Sequence, residues 1–325
     1  MKLSLEQLKS ITHGATHLEE TADGVYFWRM TPEQIQYYVD IKDEPLVRAA
    51  KQSAGIRLAF ETDSKTLSFS ATLLPDSSGA FGGFDVYENG VMIEHVQTEG
   101  RSDWTAEIAL SSGEHTVEIY IPWSKGVALK SLSIDDGATL KPHRRARKLL
   151  AFGDSITHGA TAVYPSLTYI QRLARMLDAD LASRAVGGDV FTSAIAEMET
   201  CTDPDIVTVA YGTNDWGHRT GERFDRECPA MLEALAKKYA DAKIFVITPI
   251  WRKNWDREAM SGKTMQGICR EIRSHAEVYP NVTVIDAWNF VPHLSEFFAD
   301  GCLHPNDLGM GIYAERLYCE MIKHL

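Results

Sequence analysis

The sequence contains few cysteines, and their arrangement does not indicate a disulfide framework or a metal site. They are odd in number, lie in the second half of the chain and form no CxxC pair, so we expect reduced thiols; the five are Cys201, Cys228, Cys269, Cys302 and Cys319. No predicted helix carries a His-x-x-x-His or His-Glu pair on one face. Asp154, Asp215 and His304 also do not resemble a two-metal phosphoesterase set, so we expect no catalytic metal.

Long apolar runs are also missing. Residues 1–8 lack the uninterrupted apolar core of a signal peptide, and no stretch approaches the roughly 18 apolar residues of a membrane span. We therefore predict a cytoplasmic protein with no membrane partner.

Basic residues are outnumbered by acidic ones, with 33 Lys and Arg against 45 Asp and Glu and a net charge of -12. This balance argues against nucleic acid as a partner and favours a neutral or weakly charged substrate.

The length and composition predict two domains, because a chain of 325 residues with 44% hydrophobic content exceeds the usual size of one core. From about residue 20 to 140, apolar residues alternate with period two, as in Ile56, Leu58 and Phe60. Asn89-Gly90 lies between two such runs and provides the positive φ angles of a tight hairpin. We predict that residues 1–140 form an antiparallel β-sandwich.

The stretch 141–148 is basic, poor in apolar residues and contains a proline, which predicts an exposed linker. Because the stretch is basic, a nucleic-acid-binding patch is the alternative interpretation.

Beyond residue 148, short apolar strands alternate with helical segments; the strands are predicted at 149–152, 206–210, 244–247 and 282–285. This pattern over residues 149–325 predicts an α/β domain with a parallel sheet covered by helices, of the flavodoxin-like three-layer type. Such sheets bind ligands beyond the carboxyl ends of their strands.

Three polar motifs follow predicted strands or lie near the end of this second domain. The first is Gly-Asp-Ser-Ile-Thr-His-Gly at 153–159, the second is Gly-Thr-Asn-Asp at 212–215, and the third is His-Pro-Asn-Asp at 304–307. Ser155 alone would be read as a helix cap, and His304 alone as a surface histidine. A serine hydroxyl needs a base and oxyanion donors to act as a nucleophile, and the three motifs together supply both. Together they resemble the SGNH (GDSL) hydrolases.

The resemblance implies that Ser155 is the nucleophile and His304 its base. In the family an aspartate usually precedes the histidine as Asp-x-x-His, which would place the acid at position 301, but that residue is Gly301 and the nearest acid is Asp300. Two arrangements stay open. Asp300 reaches the histidine through a slightly longer turn, or a backbone carbonyl orients His304 and leaves a Ser-His dyad.

The resemblance also implies three oxyanion donors. These are the backbone N–H of Ser155, a backbone N–H of Gly188, with Gly187 as the alternative, and the side-chain amide of Asn214. The acids beside these donors, Asp154 and Asp215, are expected to be structural, since a carboxylate next to the nucleophile disfavours the negative charge of attack. The Gly-x-Ser-x-Gly elbow of α/β-hydrolases is absent around Ser155.

The first domain carries a resemblance of its own. Gly-Phe-Asp-Val-Tyr at 83–87 is similar to the Gly-x-Asp-Leu-Tyr signature of the jelly-roll-like sandwich that precedes one SGNH subgroup, which includes carbohydrate esterases. Aromatic and polar residues near the motifs are candidates for substrate contacts, with ordinary packing as the alternative for each. They are Trp216, Trp251, His218, Arg252 and Tyr164.

These observations lead us to predict a serine esterase that needs no cofactor. It would remove short acyl groups, in particular acetyl, from a small-molecule or oligosaccharide ester through an acyl-enzyme. An acyltransferase uses the same intermediate and differs only in the acceptor admitted, so the sequence leaves both open. A third hypothesis from another class is a carbohydrate-binding protein whose hydrolase domain is catalytically silent.

Overall fold

The computed structural model describes residues 1–74, 83–97 and 102–325. The described helices of the first part are α1 (Leu5–Ile11), α2 (Pro32–Asp40) and α3 (Glu44–Ala50). Its described strands are β1 (Thr12–His13), β2 (His17–Thr21), β3 (Gly24–Trp28), β4 (Arg57–Thr62), β5 (Thr66–Leu73), β6 (Gly83–Glu88), β7 (Val91–Gln97), β8 (Asp103–Ala109), β9 (His115–Tyr120), β10 (Val127–Ile134) and β11 (Lys141–Pro142).

The described strands of this part form two antiparallel sheets. One has the order β1-β4-β9-β6-β7, with β11 paired to β4, and the other has the order β2-β3-β10-β5-β8. Side chains from both sheets meet in one buried cluster, where the rings of Phe84 and Trp104 lie 4.3 Å apart and those of Phe69 and Trp104 lie 5.1 Å apart. The predicted hairpin joins β6 to β7, and both Asn89 and Gly90 have positive φ angles, 49° and 79°. The period-two alternation located the buried face of β5, whereas both faces of β4 are buried.

Helices α2 and α3 differ from the sequence prediction, which assigned only strands to this part. Thr31 and Gln34 form a capping box at the start of α2, and Asp43 caps α3. Tyr38 of α2 and Ala49 of α3 belong to a buried cluster that is built mostly by the second part of the chain.

The stretch 141–148 is largely exposed, as predicted, but it is more than a linker. Its first two residues form β11, and its last two residues lie in a strand of the second part. The side chain of Arg145 is only 7% exposed and forms an ion pair of 2.9 Å with Glu118. Arg57 contacts the same glutamate and Asp180 of the second part, so a buried ionic cluster joins the two parts. Arg145 therefore points inward, toward protein carboxylates, and is not part of an exposed basic patch.

The second part contains a parallel sheet with helices on both faces. Its strands are β12 (Arg147–Gly153), β13 (Ala179–Ser183), β14 (Ile206–Ala210), β15 (Lys243–Ile247) and β16 (Val282–Ile285), in the order β13-β12-β14-β15-β16. Its α-helices are α4 (Ser155–His158), α5 (Tyr169–Met176), α6 (Ser193–Glu197), α7 (Thr213–His218), α8 (Gly221–Lys238), α9 (Met265–Ala276) and α10 (Asp307–Met321), and short 3-10 helices lie at Pro165–Leu167 and Ser295–Phe297. The four predicted strands are present, and β13 is additional.

Successive residues of the inner strand β12 point to opposite faces of this sheet. Leu150 and Phe152 pack into a cluster that includes side chains of α8 and α9. Leu149 and Ala151 pack into another cluster that includes side chains of α5 and α10. The all-parallel order is the one of flavodoxin-like α/β folds, so the chain has the predicted α/β class. No helix in the described ranges has both the length and the apolar character needed to cross a membrane.

Candidate active site

Ser155 follows the carboxyl end of strand β12, in the first turn of α4. Asp154 is the N-cap of this helix, and its carboxylate accepts a 3.0 Å hydrogen bond from the backbone N–H of Ile156. A Cβ at Gly153 would lie 2.2 Å from Oγ1 of Thr157 and 3.0 Å from the carbonyl oxygen of Ala210, so only glycine allows this tight turn. Because the first N–H groups of a helix have no intrahelical acceptor, the N–H of Ser155 is available to a ligand.

His304 and Asp300 extend from Ser155 as a chain of hydrogen bonds. The distance between Oγ of Ser155 and Nε2 of His304 is 2.8 Å, and the distance between Nδ1 of His304 and Oδ2 of Asp300 is also 2.8 Å. A carboxylate accepts only, so Nδ1 carries the proton and Nε2 is left as the acceptor for the serine hydroxyl. This tautomer is the one that a general base requires.

The turn that carries Asp300 shows how an acid four residues before the histidine reaches its ring. Gly301 adopts a φ of 66°, in the left-handed region that favours glycine, at the position where the family pattern has its aspartate. Oδ1 of Asp300 accepts backbone N–H groups of Cys302, Leu303 and His304 at 2.9, 2.7 and 3.1 Å. Of the two arrangements that the sequence left open, the structure has the carboxylate and not a backbone carbonyl on Nδ1.

These contacts keep the Asp300 carboxylate ionised. Partial burial acts to raise its pKa, but hydrogen bonds from the N–H groups of Leu303 and Cys302 and from the ring of His304 outweigh burial, and the pKa falls below the usual value. The side chain of Asp300 is 37% exposed, against 24% for His304. The acid is therefore well ordered by hydrogen bonds but not isolated from water.

The predicted oxyanion residues lie in the turn 186–189 and at the start of α7, and a Cβ at Gly187 of that turn would lie 3.9 Å from Cβ of Ser155. Asn214 is in the first turn of α7, and its amide donates a 2.9 Å hydrogen bond to the carbonyl oxygen of Asp189. For its second amide N–H, the described residues offer no acceptor. Gly188 has a φ of 91°, and its backbone N–H likewise has no acceptor within the described ranges. The alternative donor, Gly187, uses its N–H in a 2.9 Å hydrogen bond to Nδ1 of His158.

Three buried carboxylates surround these loops. Burial raises the pKa of Asp154 to about 7 and that of Asp189 to about 6, against partial compensation by hydrogen bonds. Burial also raises the pKa of Asp215 to about 7, although Arg223 lies 3.8 Å away and lowers it. Asp154 and Asp215 both accept backbone N–H groups, which agrees with the structural role expected from the sequence.

Ser155 and His304 open onto a cleft of about 350 Å³. One side of it is formed by the second part of the chain, including His158, Ala160, Thr161 and Gly187. The other side comes from the first part and consists of Pro45, Arg48, Ala49, Gln52 and Trp123. The sequence analysis missed this second wall. The Asp-Glu-Pro start of α3 could have indicated the helix, but no local pattern indicates that the helix lies beside Ser155.

The predicted substrate-contact residues lie elsewhere, and none of the five is among the described residues that line this cleft. Trp216 is fully buried, donates from Nε1 to the carbonyl oxygen of Lys263 at 3.0 Å and packs in the core beside Arg252. Arg252 is 5% exposed and donates to Oγ1 of Thr213 at 3.0 Å. Both side chains are engaged within the protein, so the alternative of ordinary packing replaces the predicted substrate contact for them.

The other three candidates are exposed or pack against side chains outside the cleft. Trp251 stacks on His293, with ring centroids 4.9 Å apart and an interplanar angle of 11°. Tyr164 packs against the ring of His95 at 4.4 Å. His218 is exposed at the end of α7, where partial burial and neighbouring arginines lower its pKa.

The Gly-Phe-Asp-Val-Tyr segment of β6 connects the two parts of the chain. Asp85 is fully buried and its carboxylate contacts Nδ1 of His95 at 2.5 Å and the backbone N–H of Ser166 at 2.8 Å. The hydroxyl groups of Tyr87 and Ser166 are 3.0 Å apart. The two polar residues of this segment therefore bind one short helix of the second part.

Comparison with known proteins identifies the family of the domain that carries this site. Residues 151–312 match the model of the GDSL-like Lipase/Acylhydrolase family, and this segment contains all the site residues described above from Ser155 to His304. The segment is a GDSL-like acylhydrolase domain. The protein is accordingly a serine ester hydrolase of the SGNH type. No curated protein sequence matches the chain.

Solved structures similar to this acylhydrolase share its fold at low sequence identity. The salicylyl-acyltransferase SsfX3 from a tetracycline biosynthetic pathway has a TM-score of 0.79 at 22% identity, over 97% of this chain and 95% of that chain. A family two carbohydrate esterase from Clostridium thermocellum in complex with cellohexaose has a TM-score of 0.67 at 16% identity, over 96% and 98%. The acetyl xylan esterase Est2A from Butyrivibrio proteoclasticus has a TM-score of 0.58 at 15% identity, over 84% and 90%.

Proposed function

We propose that this acylhydrolase removes short acyl groups, in particular acetyl groups, from a carbohydrate or a similar polyhydroxyl compound. The observation that carries the proposal is the hydrogen-bonded chain from Asp300 through His304 to Ser155, which ends in a cleft of about 350 Å³. A cleft of this size is at the low end of the range for small-molecule sites and suits a sugar ring with a small acyl group.

The proposed reaction has two halves. Oγ of Ser155 attacks the ester carbonyl carbon while Nε2 of His304 takes the hydroxyl proton, and the ionised Asp300 holds the ring in the required tautomer. The tetrahedral intermediate collapses, and the alcohol leaves with the proton from His304. Water then attacks the acyl carbonyl and gives a proton to His304, and His304 returns that proton to Oγ of Ser155 as the bond between Oγ and the acyl group breaks and the carboxylic acid is released.

The negative charge on the carbonyl oxygen needs fixed donors. We assign these to the N–H groups of Ser155 and Gly188 and to the free amide N–H of Asn214, all of which lack another acceptor within the described ranges. Donors held by a folded loop need no reorganisation when the charge develops, and this is why each is expected to contribute several kcal/mol to the transition state.

The carbohydrate assignment is supported by the cleft and by similar proteins. Trp123 provides an aromatic surface and Arg48 provides hydrogen-bond donors opposite Ser155, a combination suited to a ring with hydroxyl groups. Two of the solved structures described above are carbohydrate esterases, one of them an acetyl xylan esterase.

An acyltransferase is the second candidate. The similarity to SsfX3, over almost the full length of both chains, favours it. The two activities differ only in whether water or another alcohol attacks the acyl-enzyme.

The two antiparallel sheets of the first part are proposed to form the jelly-roll-like sandwich domain expected for residues 1–140. Their shared core and the contact of Asp85 with Ser166 support a domain docked firmly on the acylhydrolase. Its contribution of α3 and Trp123 to the cleft gives it a role in admitting the substrate.

The test compares the full-length protein with Ser155→Ala and His304→Ala on p-nitrophenyl esters from acetyl to dodecanoyl and on a peracetylated sugar. Ser274→Ala, on an exposed face of α9, is the matched control. We expect turnover of short esters by the native and control proteins, abolished in both site variants and unaffected by a chelator. Added alcohol acceptors distinguish transfer from hydrolysis. Turnover that persists in Ser155→Ala, or a preference for dodecanoyl esters, would contradict the proposal.

A further inference from the structure

His158 lies three residues after the nucleophile and contacts two different parts of the chain. It is 3% exposed and its ring lines the cleft. Its Nδ1 accepts the backbone N–H of Gly187 at 2.9 Å, and its Nε2 is 3.2 Å from the carbonyl oxygen of Trp123. A backbone N–H only donates and a carbonyl only accepts, so Nδ1 is unprotonated and Nε2 carries the proton.

The surroundings keep the ring in this neutral form. Burial lowers the pKa of His158 well below its usual value, the nearby Arg29 lowers it further, and the hydrogen bond to the carbonyl of Trp123 opposes both effects. Nδ1 therefore remains an acceptor over the pH range in which an esterase works. Both ring nitrogens already have backbone partners, so neither is free to take a proton from Ser155 or from water, and a second general base is not its role.

Gly187 belongs to the turn that carries the candidate oxyanion donor. The N–H of Asp189 bonds to the carbonyl oxygen of Val186 at 3.1 Å, which makes Gly187 and Gly188 the central residues of a four-residue turn. Gly188 has the positive φ that the third position of a type II turn requires. With the N–H of Gly187 directed to His158, the N–H of Gly188 is the donor of this turn that no described residue accepts.

The same turn is supported from its other end. The amide of Asn214 donates to the carbonyl oxygen of Asp189 at 2.9 Å, and the hydroxyl of Tyr38 in α2 donates to the Asp189 carboxylate at 2.9 Å. Trp123 and Tyr38 both lie in the first part of the chain. The turn is therefore held on both sides by contacts that lead back to that part.

We propose that His158 is a positioning residue, whose Nδ1 holds the turn of Val186 to Asp189 so that the N–H of Gly188 points at the developing oxyanion. The carbonyl oxygen of Trp123 accepts a hydrogen bond from Nε2 and so fixes the orientation of the His158 ring. Through this hydrogen bond, the first part of the chain sets the geometry of the acylhydrolase site. This inference rests on the proposed function, because it concerns the oxyanion of the same reaction.

Two variants separate the two hydrogen bonds of the ring. In His158→Asn, the side-chain oxygen can take the place of Nδ1 and accept from Gly187, whereas the bond to Trp123 is lost. In His158→Gln, the longer side chain can take the place of Nε2 and donate to Trp123, whereas the acceptor for Gly187 is lost. We expect kcat to fall about 100-fold in the Gln variant with KM little changed, and to fall at least tenfold less in the Asn variant.

A second readout follows the oxyanion itself. The affinity for a trifluoromethyl ketone, which forms a charged tetrahedral adduct with a serine, should fall in the Gln variant in proportion to kcat. His158→Ala with added imidazole provides the same comparison without a tethered side chain, and imidazole should restore part of kcat. Thermal unfolding of every variant is measured in parallel.

The proposal would be overturned if kcat fell equally in the Asn and Gln variants and if each loss matched a fall in the melting temperature of that variant. His158 would then be a purely structural histidine. An increase in KM with unchanged kcat and unchanged inhibitor affinity would also overturn the proposal, since His158 would then be a substrate contact. Failure of the proposed function is separate and recognisable, because turnover would then persist in Ser155→Ala whatever the His158 variants show.

Discussion

Replacement of Asp300 by asparagine tests how His304 is oriented. The variant keeps an oxygen that can accept the backbone N–H groups of Cys302, Leu303 and His304, so the turn should survive. At the position of Oδ2 it places an NH₂ group, which donates toward Nδ1 of His304. The ring is then driven to the tautomer with its proton on Nε2, which cannot accept the proton of Ser155.

The expected loss can be bounded from the geometry. The corresponding change in a serine protease triad lowers kcat about 10⁴-fold. The Asp300 side chain is 37% exposed, so water competes for its contact with the ring and the loss should be smaller. We expect kcat/KM to fall about 10²- to 10³-fold, or roughly 3–4 kcal/mol of transition-state stabilisation, with the melting temperature little changed.

The assay is the initial rate on p-nitrophenyl acetate, with active sites counted by reaction with a fluorophosphonate. Glu296→Gln is the matched control, because it removes one negative charge from an exposed position four residues earlier. If Asp300→Asn kept more than about a fifth of the native rate, the carboxylate would not orient the base and a Ser-His dyad would be the better description.

Three other outcomes follow from the structure. Asn214→Ala should lower kcat about 10²- to 10³-fold with KM nearly constant, and a change in KM alone would remove it from the oxyanion site. Trp216→Ala should lower the free energy of unfolding by about 3–5 kcal/mol in urea denaturation, whereas a substrate contact would raise KM at unchanged stability. Asp154 has a folded pKa raised to about 7, so its contribution to stability is present at low pH and is lost as pH rises toward 7. The stability of Asp154→Asn relative to the native protein should therefore rise by about 3 kcal/mol between pH 5 and pH 8, and a constant difference would refute the shift.

Several features could be predicted because their causes are local. The alternation of β5 and the Asn-Gly turn after β6 depend on neighbours in the chain, and both are found in the structure. The strands β14 and β16 have the predicted bounds, because short apolar runs between polar segments are buried wherever they occur in an α/β fold. The helices α2 and α3 also have local signals in their caps, which the strand interpretation of that region overlooked.

The positions of the five predicted substrate-contact residues could not be predicted, because they depend on tertiary packing that no local sequence pattern indicates. Trp216 follows Asn214 by two positions, but α7 turns its indole into the core, whereas the Asn214 amide bonds to the carbonyl oxygen of Asp189. The wall of the cleft that comes from α3 and Trp123 was missed for the same reason, since it approaches Ser155 only when the two parts dock.

The sequence by itself determined the α/β class, the hairpin and the order of the three motifs along the chain, because hydrophobic period, turn chemistry and strand ends are properties of short segments. Only the tertiary structure decided that Asp300 contacts His304 across the turn at Gly301, that His158 joins Gly187 to Trp123, and that the first part of the chain closes the cleft. These contacts join residues distant in the chain, or depend on a single backbone angle, and their geometry is set by the packing of sheets and helices as a whole.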